Sequence, residues 1–294
     1  MINETFDYVK YLEVKKNIDD RSLNKAVWYE FSTWLKAKSH QSEGLKVLEI
    51  GAGIGTMIER LVEASLLNKC HYIALEPEYS FKVAAKNRLL SWAKNCAFNF
   101  KICSEDLWMV YGNTLDIKIE WLDAEAEKIA QLFNDESFDL ILSHAVIDLL
   151  PVPEIMPGIL NKLKTQGGFY FSLNFSGETE FYPNHESDVD IAKHYHADMD
   201  SRFPDLEWQP SRTGLELPKW LQHYGCKQIV EGESGWRLGS EDELIIKNIL
   251  DTIKKALSGY PGLKNWLTER YSQLQQAQLE VKISNRDCFG LKQS

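Results

Sequence analysis

The chain has 294 residues, 44% hydrophobic and 26% charged, enough for one large α/β domain or two small ones. Its formal net charge is −10 with a pI near 5.3, and no stretch gathers enough Lys and Arg to offset that, which works against a nucleic-acid backbone as partner. No apolar run approaches the ~20 residues of a membrane helix, and the charged start MINETFDYVKYLEVKK lacks the core of a signal peptide.

The five cysteines, Cys70, Cys96, Cys103, Cys226 and Cys288, form no CxxC pair, so neither a zinc site nor a disulfide framework is suggested. The expectation is a cytoplasmic protein with no metal, no membrane and no nucleic-acid partner.

Residues 4–39 read as two helices. Phe6, Val9, Tyr11 and Leu12 give the first a short apolar face. Asp19 or Asp20 then caps a second, with Leu23, Val27, Trp28, Phe31 and Leu35 at helical spacing. After a polar break, SHQSEG (39–44), KVLEI is a short β-rich run. It ends in glycines and a helix with Ile58, Leu61 and Val62 on one face. HYIALEP (71–77) is a second strand, followed by a helix containing Val83, Ala84, Leu90 and Trp92.

NFKICSEDLWMVYGNTLDIKIEWLDA has two strand-like runs around a Gly-Asn turn, a hairpin leading into a third core strand, DIKIEWL. AEKIAQLF reads as a helix. FDLILS (138–143) is a continuous apolar strand of the kind buried on both faces in a parallel sheet. PEIMPGILNKLK is the next helix and GGFYFSLNF (167–175) the strand after it. The alternation predicts a doubly wound α/β fold, a mostly seven-stranded sheet with helices on both faces and right-handed crossovers.

Beyond residue 175 a long polar segment exceeds a bare connection. It predicts a helix at 187–202 within an insertion, or lid, over the strand ends at about 176–213. A helix at 214–224, the strand KQIVEGES, helices at 241–257 and 262–277 and the strand EVKISNRDCF close the chain. The expected division is a helical cover at 1–43 and an α/β domain at 44–294.

VLEIGAGIGTM (47–57) sets Gly51, Gly53 and Gly55 after the first strand, near the switch point where ligands sit in such sheets. A nicotinamide fingerprint from Gly51 would put Thr56 where a Gly or Ala belongs, and no Gly-Lys-Ser/Thr follows to make a P-loop. What stands there is Glu49-x-Gly51-x-Gly53-x-Gly55.

Four further pieces follow in order: Glu76 ending the second strand, Asp123-Ala124 ending the third, FDLILSHAVIDLLP, and the GG-turn strand 167–175. The ordered set, over roughly residues 45–175, resembles the motifs of class I (Rossmann-like) S-adenosylmethionine-dependent methyltransferases. The resemblance implies S-adenosyl-L-methionine as cofactor and S-adenosyl-L-homocysteine as product. It places Glu49, Gly51, Ala52, Gly53 and Gly55 in the cofactor loop and Glu76-Pro77 at the ribose. Asp123-Ala124 would then meet the adenine amine, with Ser143-His144 beside the transferring methyl. A phosphate-free ligand needs only bare backbone from such a loop, and a carboxylate accepts both hydroxyls of a ribose diol. Glu49 is a candidate acceptor for the ligand ammonium.

Enzymes that methylate exocyclic amines of bases resemble one another in carrying [DN]-P-P-[YFW] where this chain has Ser143-His144-Ala145-Val146. With the acidic pI, that favours a small-molecule acceptor. Methyl transfer is an in-line displacement dominated by alignment, with a base required only for a protonated acceptor. His144, His194, His196 and Asp148 are the candidates for that chemistry. A metal reading of His194 and His196 fails if their segment is helical. Asn174 and Arg212 are candidate acceptor contacts. In the N-terminal helices Arg21 is a candidate partner for the cofactor carboxylate. Tyr11 and Trp28 are candidate shields of the sulfonium, and Trp28 is also a candidate acceptor contact.

A homodimer is one expected assembly. The competing readings are a non-catalytic cofactor-binding or oligomerisation module, an NAD(P)-dependent oxidoreductase, and an aminopropyltransferase, for which only Asp148 is available as an acidic group near the fourth motif.

Overall fold

A computed structural model describes residues 7–39 and 44–293. The expected helix start at residue 4, with Phe6 on its apolar face, lies outside the described residues, as does most of the polar break after Ser39. Asp7 accepts a hydrogen bond from the Lys10 N–H and starts α1 (Tyr8–Ser22). Nothing in the sequence interrupts that helix before Leu23, so Asp19 and Asp20 fall in its last turns instead of capping the next one. The cap is Asn24, whose side-chain oxygen accepts from the N–H groups of Ala26 and Val27 and opens α2 (Lys25–Ser39).

The central elements then follow as β1 (Leu45–Ile50), α3 (Thr56–Glu63), β2 (Lys69–Leu75), α4 (Tyr79–Asn95), β3 (Asn99–Ile102), β4 (Leu107–Tyr111) and β5 (Asp116–Leu122). AEKIAQLF supplies only a 3₁₀ turn and one α-helical turn, α5 (Ile129–Leu132). Next come β6 (Phe138–His144), α6 (Val152–Asn161), β7 (Leu163–Tyr182), α7 (Asp188–Asp200) and α8 (Thr213–His223). The chain ends with β8 (Cys226–Glu233), β9 (Trp236–Leu238), α9 (Glu243–Ala256), α10 (Leu263–Gln275) and β10 (Glu280–Lys292).

The strands form one sheet in the order β3-β4-β5-β2-β1-β6-β7-β10-β8, with β9 paired to β10, so the sheet has ten strands where the sequence predicts mostly seven. The parallel core is β5-β2-β1-β6-β7. The extra strands are the antiparallel β3 and β4 at one edge and the short β9 beyond β10. β10 runs antiparallel between β7 and β8. β7 does not stop at residue 175. β10 pairs with it from Gly168 to Tyr182, so the predicted insertion shrinks to the segment after Tyr182.

Three apolar clusters hold these layers. On one face α2, α3 and α4 cover the sheet, with Phe31 stacked on Tyr170 at 4.5 Å. α2 is therefore a layer of the core, and only α1 acts as cover. On α4 the buried face is Ala85, Leu89 and Trp92, while the expected Val83 and Leu90 are exposed. The second cluster packs α5, α6 and α8 on the opposite face. The third gathers Ile18, Phe181, Ile191, Ile245 and Trp266, joining α1, α7, α9 and α10 into a roof beyond the strand ends.

Candidate active site

The glycines of the loop after β1 have three separate reasons. All lie at positive φ, +70° at Gly51, +53° at Gly53 and +78° at Gly55, where a Cβ is strained. A Cβ on Gly51 would come within 2.5 Å of Val146, so this residue is small because the segment after β6 presses on it. Gly55 precedes α3 and faces Leu89. Gly53 differs: a Cβ there would meet only Leu12, at 3.6 Å, and the residue lines a cavity of about 710 Å³. Its bare backbone is a cradle that a side chain would fill.

The cavity sits at the carboxyl ends of the parallel strands, beside the switch between β1 and β6. Glu76 lines one end with Pro77 and Ala124. Its Oε2 accepts from the Gly53 N–H at 2.9 Å and its Oε1 from the Glu78 N–H at 3.1 Å. Each oxygen has capacity for one more donor. Burial raises this carboxyl's pKa, opposed by those two backbone donors. Asp123 is exposed and not part of the wall, so of the predicted pair only Ala124 reaches the ligand side.

Glu49 does not face the cavity. It is buried in the sheet and accepts from the Tyr72 hydroxyl at 2.7 Å. Burial lifts its pKa to about 8, against the lowering effects of Tyr72 and Arg60, so at neutral pH it is largely a neutral acid and no counter-charge for a ligand ammonium. Glu49→Gln, which keeps an acceptor for Tyr72, is expected to leave stability at pH 7 within about 1 kcal/mol of wild type. Glu49→Ala orphans the phenol and should cost about 1–3 kcal/mol more. Urea midpoints of the two variants check this. Ala52 is buried in the core, Gly55 opens α3, and Ser143 donates to the Ile50 carbonyl at 3.2 Å; none of the three lines the cavity.

His144, at the end of β6, lines the wall with both ring nitrogens engaged. Nδ1 is 2.7 Å from the Ser172 hydroxyl and Nε2 is 3.1 Å from Asp19 Oδ2. Lys15 donates to the same Asp19 oxygen at 2.6 Å, and all three charged or polar side chains are buried. With a carboxylate on one side, Nε2 carries the hydrogen and Nδ1 accepts from Ser172. Neither nitrogen is left for an acceptor, so the ring as placed does not fit the base expected from the sequence.

Burial, with Arg60 nearby, lowers the His144 pKa to about 4. The unfolded chain therefore binds a proton between about pH 6.5 and pH 4 that the folded chain does not, and stability falls as pH falls through that window. His144→Gln should lose this component, so the stability gap between wild type and variant should narrow by up to about 3 kcal/mol from pH 7 to pH 4, read from paired denaturation curves.

The other sequence candidates disperse. Arg21 turns away from the cavity and pairs with Asp242 at 2.5 Å, leaving Lys15 as the cation from α1 in the wall. Tyr11 does line the cavity. Trp28, half-buried on α2, packs on Phe31 and Tyr170 at the edge of the core, away from the cavity. Along β7, Leu173, with φ +56°, and Phe175 face the cavity. Asn174 lies on the other side, its Nδ2 donating to the carbonyls of Phe171 and Arg286. Arg212 is exposed and pairs with Glu216.

On α7 the residues at i and i+2 diverge. His194 is bonded to the Asp190 carbonyl with its ring tilted against Tyr260, His196 meets Thr179 Oγ1 at 3.1 Å, and it is Tyr195 between them that enters the cavity. Among the described residues no group of three His, Cys, Asp or Glu could hold a metal ion. Asp148 lines the wall. Tyr195 and the α9 residue Ile249 in the wall, and Asp19 behind His144, were missed, since each takes its place only through packing of the roof.

A glycine cradle at the switch point, backed by a strand-end carboxylate and covered by a helix, defines a nucleoside-binding site of the class I methyltransferase type. A family model described as "putative S-adenosyl-L-methionine-dependent methyltransferase" matches residues 27–225, and the chain belongs to that family. Its cofactor is S-adenosylmethionine.

The mitochondrial ubiquinone biosynthesis O-methyltransferase of Dictyostelium discoideum is 27% identical over 129 residues, 44% of this chain and 35% of that protein, so the match spans about a third of that relative's length. Two solved structures share the fold. The BH2331 protein of Bacillus halodurans C-125 has a TM-score of 0.51 at 14% identity, covering 90% of this chain and 99% of that one. The YcgJ protein of Bacillus subtilis has a TM-score of 0.50 at 12% identity, with the same coverage.

Proposed function

We propose that this enzyme methylates a small-molecule acceptor held in the same cavity as the cofactor. The observation that carries the reading is the continuity of the cavity. It runs from Glu76 and Gly53 at one end to Tyr195, Phe175 and Ile249 at the other, under one roof made by α1, α7 and α9. Its volume, about 710 Å³, is within the range of about 300–1,000 Å³ typical of small-ligand sites.

Bound S-adenosylmethionine would supply an activated methyl on a good leaving group. Glu76 would hold the ribose hydroxyls, the Gly53 backbone would pass beneath the methionine portion, and Lys15 would meet its carboxylate. Tyr11 and Ala145 would shape the space around the sulfur and exclude water. The work of this chain is then alignment of acceptor, methyl and sulfur.

The test is a thermal-shift series with S-adenosylmethionine, S-adenosylhomocysteine, NAD and NADP, followed by methyl-labelled turnover against pooled small metabolites and bulk RNA. Stabilisation by the first two alone, with label entering the small-molecule fraction, is the expected result. Stabilisation only by NAD or NADP, or label only in RNA, would overturn the reading.

A further inference from the structure

One face of the roof helix α7 lines the acceptor end of the cavity. Tyr195, Met199 and Arg202 stand at i, i+4 and i+7, so their side chains come down on the same side. Arg202 lies just past the end of the helix, yet its N–H still donates to the Met199 carbonyl at 3.3 Å, which extends the helical turn far enough to keep it on that face. Phe175 and Leu173 meet the same space from β7.

Arg202 differs from the other cations of this chain in having no anion of its own. It is exposed, lines the cavity, and makes no ion pair and no side-chain hydrogen bond among the described residues. Arg21, Arg60, Arg88, Arg212, Arg270 and Arg286 are each held by a carboxylate. Lys15, the wall's cation from α1, is taken by Asp19 at 2.6 Å.

Asp148 does not fill that role. Arg202 is near enough to act electrostatically on Asp148 and Tyr195, but forms no ion pair with Asp148. The Asp148 carboxyl takes the backbone N–H groups of Phe175 and of its own residue, and its Oδ1 is buried out of reach of the cavity. The remaining carboxylates of the wall, Glu76, Glu125 and Glu127, follow β2 and β5 at the cofactor end.

A guanidinium presents its N–H donors in a fixed planar fork that matches a carboxylate, and apolar neighbours strengthen such a pair by keeping water from it. A phosphate dianion calls for more than one cation, and with Lys15 engaged the described residues of this end supply Arg202 alone.

We infer that the acceptor is a small carboxylic acid with an apolar body, entering as its carboxylate and anchored through that group by Arg202. This rests on the small-molecule reading above and narrows it to one substrate class. The guanidinium fixes which end of the acceptor meets the roof. The body lies between Tyr195, Met199 and Phe175, and its length sets how far the reacting atom reaches toward the cofactor. Arg202 thus selects and orients the acceptor and takes no part in the chemistry. A cation past a helix C-terminus also complements the helix dipole. The two roles separate by experiment, since a dipole role moves stability and an anchoring role moves ligand preference.

The test uses the full chain saturated with S-adenosylhomocysteine and four probes with a phenyl body: 3-phenylpropanoate, 3-phenylpropanamide, 3-phenylpropan-1-amine and 2-phenylethyl phosphate. Calorimetric titration is expected to rank the carboxylate first, at least roughly tenfold tighter than its amide isostere, with the amine weakest. Arg202→Gln should bring the carboxylate to within about twofold of the amide while leaving affinity for S-adenosylhomocysteine intact, which also reports that the variant folds. Arg202→Lys should keep part of the preference, because the charge stays and the fork is lost. Arg212→Gln, which removes the same charge from outside the cavity, should keep the wild-type ranking.

The inference is overturned if the amide or the amine binds as tightly as the carboxylate, if the phosphate ester binds more tightly than it, if none of the four binds the loaded protein, or if Arg202→Gln keeps the wild-type ranking and shifts only the urea midpoint. Failure of S-adenosylhomocysteine to bind the wild type at all would instead overturn the reading on which it rests.

Discussion

Asp19→Ala is expected to destabilise the protein by about 3–5 kcal/mol. The carboxylate is buried, takes a hydrogen bond from Lys15 at 2.6 Å and meets His144 Nε2 at 3.1 Å. Burial alone would raise its pKa, but Lys15 and His144 outweigh that and hold it at about 2. Removing it leaves a largely buried ammonium and an imidazole N–H without their shared acceptor, and an uncompensated buried charge is costlier than the pair it came from is stabilising.

The effect should be read as a shift in urea midpoint at constant slope. Since the folded pKa is depressed, the gap from wild type should be full above about pH 4 and shrink as pH falls toward 2. A double variant, Asp19→Leu with Lys15→Met, should recover much of the loss, because it removes both charges together. A loss below about 1 kcal/mol for Asp19→Ala would show that the pair behaves like a surface ion pair.

Glu76→Gln should weaken binding of S-adenosylhomocysteine by about 2–4 kcal/mol, roughly 30- to 1,000-fold in Kd. The carboxylate ties the glycine loop to the end of β2 through the N–H groups of Gly53 and Glu78, and both oxygens retain acceptor capacity toward the cavity. An amide turns one of those oxygens into a donor, so it both opposes a backbone N–H and loses half of a diol contact. Calorimetry measures the change. Arg21→Ala is the matched control: with its guanidinium on Asp242, outside the cavity, it should bind S-adenosylhomocysteine as wild type does. A Glu76→Gln variant that binds within about threefold of wild type would remove Glu76 from the ribose contact.

Much of the fold was legible because the parallel core announces itself by continuous apolar runs such as FDLILS and by glycines at the strand–helix turn. The edges were harder. The length of β7 past residue 175 depends on β10, more than a hundred residues later, lying along it, and no local pattern encodes a partner so distant. β9 is three residues long and exists only as a companion of β10.

The site divided in the same manner. Glu76 and Gly53 were readable because their positions follow from the strand that carries them. Glu49 sits in an equally regular place, but its side chain falls on the Tyr72 side of the sheet, and the motif alone does not distinguish a ligand contact from a buried structural acid. Asp19 read as a helix cap because an acidic pair before an apolar helical face is a capping signal. The competing signal was Asn24, which took the cap and left Asp19 free to pair with His144. On α7 the two histidines drew notice, whereas the tyrosine between them faces the cavity.

The three consecutive residues at the end of α1 each hold a different element: Asp19 the end of β6 through His144, Asp20 the helix α3 through Arg60, and Arg21 the entry to α9 through Asp242. The holding of one helix is thus divided among three separate elements, so that loss of any one of these side chains loosens α1 from a different neighbour while the other two contacts remain.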